Sequence, residues 1–420
     1  MRRRDWLGLS LGALSLPAWR SAPPELPPLP GIGPEELARD EAFWRRIRRL
    51  FRLSASIVNL NSGNCSSHPE AVAGALEART REANEIPGLV LWRRQYPERE
   101  ALRERLARLA GCAPAAIALQ RNGTEALNAV IQGMRFQPGD EILASDQEYP
   151  AVRHALRQTA QRMQLRLTEV ALPVPAPDAE SLIRPFAEAI GPRTRLLVCS
   201  HIVFLTGQIL PVRGLARLAH AHGAQILVDG AHSFAQLGFR IPELECDYFA
   251  ASLHKWLCGP PGTGLLYVRE DRIPELWPLF PAPDGEEALI RKFEHLGTRS
   301  IAAELALHQA LDLHEHLGAE VKMARLRYLR QLGMGPLSAV PGISLLTGQD
   351  NAHACAMSAL RIAGMPAGTL SSRLLQEHRM LVMQAGHPQA DGIRISPQIY
   401  TRAEDMSRFA GAVRRIAAGQ

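Results

Sequence analysis

Lysine is the scarcest functional group in this chain. Of 48 basic residues among 420, only Lys255, Lys292 and Lys322 are lysine, and the rest are arginine. A chain that uses arginine wherever a positive charge will do leaves each lysine as a candidate for chemistry a guanidinium cannot perform. An amine can lose its proton and attack a carbonyl. Cysteine is also sparse: the six, at 65, 112, 199, 246, 258 and 355, contain no C-x-x-C pair and join no His/Cys cluster, so no zinc site is indicated. Aromatics make up 5%, which leaves the core to Leu, Ala, Val and Ile. A long apolar run is missing as well. Leu7–Ala18 has 12 residues, and a bilayer span needs roughly 20, so no stable membrane insertion is expected. A nucleic-acid stripe is not indicated either. The net charge is only +6, and the arginines alternate with acids at helical spacing, as in Glu98-Arg99-Glu100 and Arg103-Glu104-Arg105, the pattern of solvated helix faces.

What is present begins with an address. Arg2-Arg3-Arg4-Asp5-Trp6-Leu7, the short apolar stretch and the proline-rich segment Pro23–Pro34 resemble a twin-arginine export signal. A periplasmic protein that has met the twin-arginine export machinery is expected; the other reading is a basic tail on a cytoplasmic one. Residues 1–30 are assigned to this signal and linker. With 46% hydrophobic residues, the remainder is too large for one small domain. Short apolar strands at 117–119, 141–144, 195–200, 226–229, 248–251 and 264–268 alternate with helices, which predicts an α/β domain with a mostly parallel sheet covered on both faces. The pattern changes after Gly297. The expected organisation is a large domain at 60–297, a smaller α+β domain at 298–420, and an N-terminal segment, 31–59, packing on the small domain.

Three stretches carry chemistry. Ser252-Leu253-His254-Lys255-Trp256 follows a strand and precedes the turn Gly259-Pro260-Pro261-Gly262. A lysine there is placed to form a Schiff base with an aldehyde cofactor, and Ser252 and His254 supply donors for a phosphate. Upstream, Ile226-Leu227-Val228-Asp229 puts an acid at the end of a buried strand. That is costly unless it is paired, and a protonated pyridine nitrogen would pair it and keep the ring an electron sink; an N-cap is the bland alternative. Third, Asn122-Gly123-Thr124 opens a helix after a strand, a seat where free N–H groups and the helix dipole favour an anion, although Thr124 also reads as a plain N-cap. His232, three residues past Asp229, reads equally as a proton carrier or as a helix-start histidine.

The order and spacing of these stretches resemble the class V aminotransferase family, from about residue 35 to the C-terminus, and within it the isopenicillin N epimerase-like branch, which includes exported siderophore-tailoring enzymes. The resemblance implies the aspartate-aminotransferase fold (fold type I), pyridoxal 5'-phosphate (PLP) as cofactor, a small-molecule amino substrate and a homodimer. It implies further that Tyr149 of Asp146-Gln147-Glu148-Tyr149-Pro150 stacks on the cofactor and that Gln208, in Thr206-Gly207-Gln208, reaches its phenolic oxygen. Thr298 of Gly297-Thr298-Arg299 would reach the phosphate of the partner subunit, Arg394 of Gly392-Ile393-Arg394-Ile395-Ser396-Pro397 would clamp the substrate α-carboxylate, and Asn61 would line the substrate site. Desulfurases of this class carry a cysteine on a loop just before that arginine. Here Gln384–Asp391 has none, which argues against that activity. Transamination is the leading expectation, with epimerisation and elimination as alternatives that share its first step. An inactive regulatory scaffold would be expected to carry an extra DNA-binding module, and no segment is left over for one.

Overall fold

The computed structural model describes residues 25–420; the twin-arginine motif and its apolar stretch lie outside the described residues. The larger sheet has seven strands in the order Ile117–Gln120, Gly264–Val268, Tyr248–Ser252, Gln225–Asp229, Thr194–Ser200, Glu141–Ser145, Arg166–Val170. Only Gly264–Val268 runs against the others. The inner strands are buried on both faces, so they read as continuous apolar runs rather than alternating ones. The edge strand Arg166–Val170 is half exposed and reads Arg-Leu-Thr-Glu-Val, without the apolar run that announces the others. Because helical crossovers join the parallel strands, Ser145, Ser200, Asp229 and Ser252 all end at the same edge of the sheet, where ligands of open α/β sheets bind.

The smaller unit is a four-stranded antiparallel sheet, Met383–Ala385, Gly392–Ile395, Ser358–Ile362, Ile343–Leu345. Leu329, Ile393, Ile395, Met406 and Phe409 form its core. The N-terminal segment bridges the two units: Val58–Asn59 pairs parallel with Met380–Leu381, whereas Leu37, Phe43, Trp44, Ile47 and Phe51 join the larger core, and Arg325 bonds Ala38 O and Glu41 beside the Trp44 ring. Helix Leu307–Leu317, placed by its sequence in the smaller unit, buries Leu307, Ala310, Leu311 and Leu317 in the core of the larger one. The packing therefore changes hands near Gly318, whose φ of 76° breaks the helical run.

Two of the three lysines are structural. Lys292 Nζ donates to the carbonyls of Ile273, Leu276 and Glu287. Lys322 donates to Trp256 O at 2.9 Å and contacts His314 Nδ1 at 3.0 Å. Each uses a compact ammonium where a planar fork would not converge. Among the described residues no helix is long and apolar enough to cross a membrane.

Candidate active site

The turn after strand Tyr248–Ser252 delivers Lys255 to the carboxyl edge of the sheet. Its Nζ lies 3.3 Å from His232 Nε2 and 5.9 Å from the centre of the Tyr149 ring. Burial pushes this amine down to about 8, against the opposing pull of Asp229, while the Arg394 charge pushes it the same way. Burial also holds His232 well below its usual range, so it is neutral at ordinary pH. Trp256 Nε1 donates to His232 Nδ1 at 3.4 Å. That partner assigns the ring proton to Nε2, which then donates to Lys255 and requires the lysine lone pair. The geometry thus favours the nucleophilic form of the amine.

Asp229, 7% exposed, sits one strand away. Its Oδ1 accepts from Ala231 N at 2.9 Å, and the chain beyond it forms turns rather than a helix, so the N-cap reading does not apply. Burial raises its carboxyl and the nearby Lys255 opposes this. An anion in this position needs a cation, as a protonated ring nitrogen would supply.

The helix Gly123–Gly133 begins beside the lysine turn. Asn122, not Thr124, is its N-cap, with Oδ1 accepting from Glu125 N at 2.8 Å. Thr124 is exposed in the first turn, where N–H groups lack intrahelical acceptors. Gly123 N donates to Ser252 Oγ at 2.9 Å, and a Cβ on Gly123 would come within 2.9 Å of that oxygen. His254 Nδ1 is buried with no partner. Free donors, a helix N-terminus and a close glycine fit a phosphate.

Arg394, 1% exposed, projects from strand Gly392–Ile395. It donates to Phe204 O and, at 2.9 Å, to Asn61 Oδ1; its Nε has no partner. Burial alone pulls this guanidinium down to about 9, with no carboxylate offsetting it. Asn61 is held by its bridge to Ser396. The loop it starts continues to Cys65, and Tyr400 Oη pins it at Ser62 Oγ and Ser67 N. Ser66 N donates to His254 O at 3.0 Å, which brings Cys65 within electrostatic reach of Lys255.

The amide of Gln208 is closed on the neighbouring loop, with Oε1 accepting from Ala176 N at 2.6 Å and Nε2 donating to Pro173 O at 3.2 Å. Thr206 Oγ1 caps Gln208 N and its carbonyl accepts from Thr347. This pair braces the turn against the smaller unit, and His232 is the side chain beside the Lys255 amine. Arg99, read as part of a solvated helix face, is buried and paired with Glu294 and Glu304, and Arg94 is paired with Glu82. The Tyr149 and Phe204 rings meet edge to face with their centres 5.5 Å apart, and the Tyr149 ring faces the lysine. Thr298 lies exposed on a separate loop. Cys65, Phe204 and the buried Glu148 carry no sequence signal of their own; Glu148 lies one residue before Tyr149, and nothing in its local pattern announces its burial.

The family model "Aminotransferase class-V" matches residues 89–409. The chain belongs to the class V aminotransferase family. It is 34% identical over 398 residues to isopenicillin N epimerase of Streptomyces clavuligerus, covering 89% of this chain and 98% of that protein. With the isopenicillin N epimerase of Amycolatopsis lactamdurans it shares 32% over 392 residues, 89% and 98% of the two chains. A probable cysteine desulfurase of Pseudomonas aeruginosa is 31% identical over 407 residues, 87% and 96%. Among solved structures, a C-DES mutant with glycine covalently linked to its PLP cofactor superposes with a TM-score of 0.78 at 24% identity, covering 88% of this chain and 98% of that one. The cysteine desulfurase CsdA of Escherichia coli superposes at 0.75 and 25% identity, covering 90% and 98%. The fold is that of fold type I PLP enzymes, and PLP is the cofactor of this family member.

Proposed function

We propose that this PLP-dependent enzyme moves the Cα proton of an α-amino acid and that its outcome is transamination. The supporting observation is Arg394: a buried guanidinium without a carboxylate, within electrostatic reach of Lys255. It suits a bidentate carboxylate. PLP, when bound, supplies the aldehyde and the electron-withdrawing ring. The chain's own groups do the rest. Thr124, Gly123, Ser252 and His254 would seat the phosphate, Asp229 would pair with the ring nitrogen, Tyr149 would cover the ring, and Arg394 with Asn61 would orient the carboxylate. Fixing the carboxylate selects the Cα–H bond for cleavage over decarboxylation. Lys255, about half neutral near pH 8, would take that proton and return it. A single amine of suitable basicity that carries the proton between two positions favours transamination.

Epimerisation is a second reading, favoured by the near-full-length similarity to the two isopenicillin N epimerases and by the Cys65 thiol near Lys255. One experiment separates them. Holoenzyme is incubated with single L-amino acids in deuterated water, followed by chiral analysis and 2-oxo-acid assay. Oxo acid with retained configuration supports transamination. Deuterated D-enantiomer without oxo acid replaces it with epimerisation, and no Cα exchange across the panel rejects both. The homodimer, with Thr298 reaching the partner's phosphate, and periplasmic export through the twin-arginine machinery are proposals of the same standing.

A further inference from the structure

This chain neutralises its buried acids with arginine. Among the described residues Glu82, Glu125, Asp140, Glu141, Asp247, Glu304 and Asp405 are buried, and each has an arginine within salt-bridge distance. Two buried acids do not: Asp229 and Glu148. In a protein this rich in arginine, two neighbouring acids left without one mark a place where another partner is meant to act.

Glu148 is 1% exposed, in the turn between strand Glu141–Ser145 and helix Pro150–Met163. Its Oε1 accepts from Ser145 Oγ at 2.6 Å and its Oε2 from Ser200 Oγ at 2.5 Å. Ser200 is the register partner of Asp229 on the adjacent parallel strand, and the next residue, His201, donates its N–H to Asp229 O at 2.9 Å. The next residue in the other direction is Tyr149. One carboxyl thus ties the strand end that carries Asp229 to the turn that carries Tyr149. The charged and titratable groups facing it are few. Asp229 is on its own strand, Cys199 is a thiol that burial holds protonated, and Arg153 on the following helix is already spent on Glu169. Burial and the Asp229 charge push Glu148 up to about 7, against two serine donors.

We propose that Glu148 is a positioning residue of the cofactor site: it is the proton-holding member of a buried carboxyl pair with Asp229, and by holding that proton it leaves Asp229 as the anion that meets the cofactor's ring nitrogen. Two like charges at this separation from water do not both ionise readily. Asp229 lies within reach of the Lys255 amine, which favours its anion, whereas Glu148 has no cation among the described residues left free to pair with it and meets only two serine hydroxyls, which can accept its carboxyl proton as well as donate to its carboxylate. A positive ring nitrogen at Asp229 removes the repulsion that kept Glu148 protonated, so cofactor binding and Glu148 ionisation assist one another.

The test rests on Asp229 facing the ring and uses cofactor affinity rather than turnover. PLP is titrated into full-length apoprotein across pH 5.5–8.5 (roughly one and a half units either side of neutrality), with binding read by tryptophan fluorescence. In wild type the affinity should rise with pH through neutrality, about tenfold for each unit by which binding lowers the Glu148 pKa. Glu148→Gln keeps the size and one acceptor but cannot ionise, and should lack that step. Ser200→Ala removes a donor to the ionised carboxylate and should move the step to higher pH. Superimposable wild-type and Glu148→Gln curves overturn the proposal. So does a constant offset at every pH, which is what a merely structural glutamate would give. If Asp229→Asn leaves affinity and its pH dependence untouched, the reading of Asp229 fails first; if Asp229→Asn weakens binding and Glu148→Gln changes nothing, only the coupling fails.

Discussion

Replacing Arg394 with glutamine asks the site to choose between two roles for its most deeply buried cation. A guanidinium has five N–H donors. Here one is spent on Phe204 O and one on Asn61, and Nε is unpartnered in a dry environment. An α-carboxylate would take two charge-assisted hydrogen bonds, each worth about 1.5–3 kcal/mol. Their loss should cost about 3–6 kcal/mol, or roughly 10²- to 10⁴-fold in kcat/KM for amino acids. An amine of the same side chain without the carboxylate never made those bonds and should lose only a few-fold. The fold should not suffer in step. A guanidinium held at about 9 is one that burial disfavours, so removing the charge relieves a cost, and the amide can still donate to Phe204 O. Parallel measurements of kcat/KM on paired amino-acid and amine substrates, with thermal melts of the apoprotein, check this. If both substrate classes fall equally and the melting temperature drops with them, Arg394 is a structural cation and the substrate class is wrong.

The remaining predictions follow from the same geometry. Lys255→Arg should keep the fold yet give no borohydride-stable cofactor adduct at residue 255, read by peptide mass; an adduct there would refute the assignment. Because burial holds the Lys255 amine at about 8, cofactor capture by apoprotein should speed up as pH rises through 8, and at pH 8 its neutral fraction should exceed that of an ordinary lysine roughly a hundredfold; a capture rate still climbing toward pH 10 would show an unperturbed amine. Asp229→Asn should bind PLP but slow Cα-hydrogen exchange at least about 100-fold, measured by deuterium wash-in. Sedimentation should show a dimer that loses cofactor when Thr298 is replaced by aspartate, and Arg3→Lys with Arg4→Lys should strand the protein in the cytoplasm.

The fold was legible because its inner strands are buried on both faces and their composition says so: Ile226-Leu227-Val228 and Tyr248-Phe249-Ala250-Ala251 admit little else. The half-exposed strand Arg166–Val170 and helix Ala179–Ala189, which contains Pro185, carry no such signature. Site residues were legible where the backbone fixes them, at strand ends such as Asp229 and the turn that holds Lys255. They were not legible where a side chain had to choose among partners. Gln208 could have faced the cavity or the loop at Pro173–Ala176, and only the packing of that loop decides. Arg99 reads as part of a solvated helix face, but Glu294 and Glu304, far along the chain, claim it and bury it.

That distinction explains the lysines. Lys292 and Lys322 show that scarcity alone does not single out Lys255: both are buried, both are pushed down to about 8, and both are engaged with backbone carbonyls, Lys322 also with a ring nitrogen. Depressed basicity is therefore shared by all three and cannot single one out. What separates Lys255 is its surroundings: a neutral imidazole whose tautomer calls for its lone pair, a carboxylate one strand away without an arginine, and, within electrostatic reach, a guanidinium without a carboxylate. Each of these is an unfinished electrostatic arrangement, and the three converge on one amine. An aldehyde cofactor with a protonatable ring, together with a carboxylate-bearing substrate, completes all three at once.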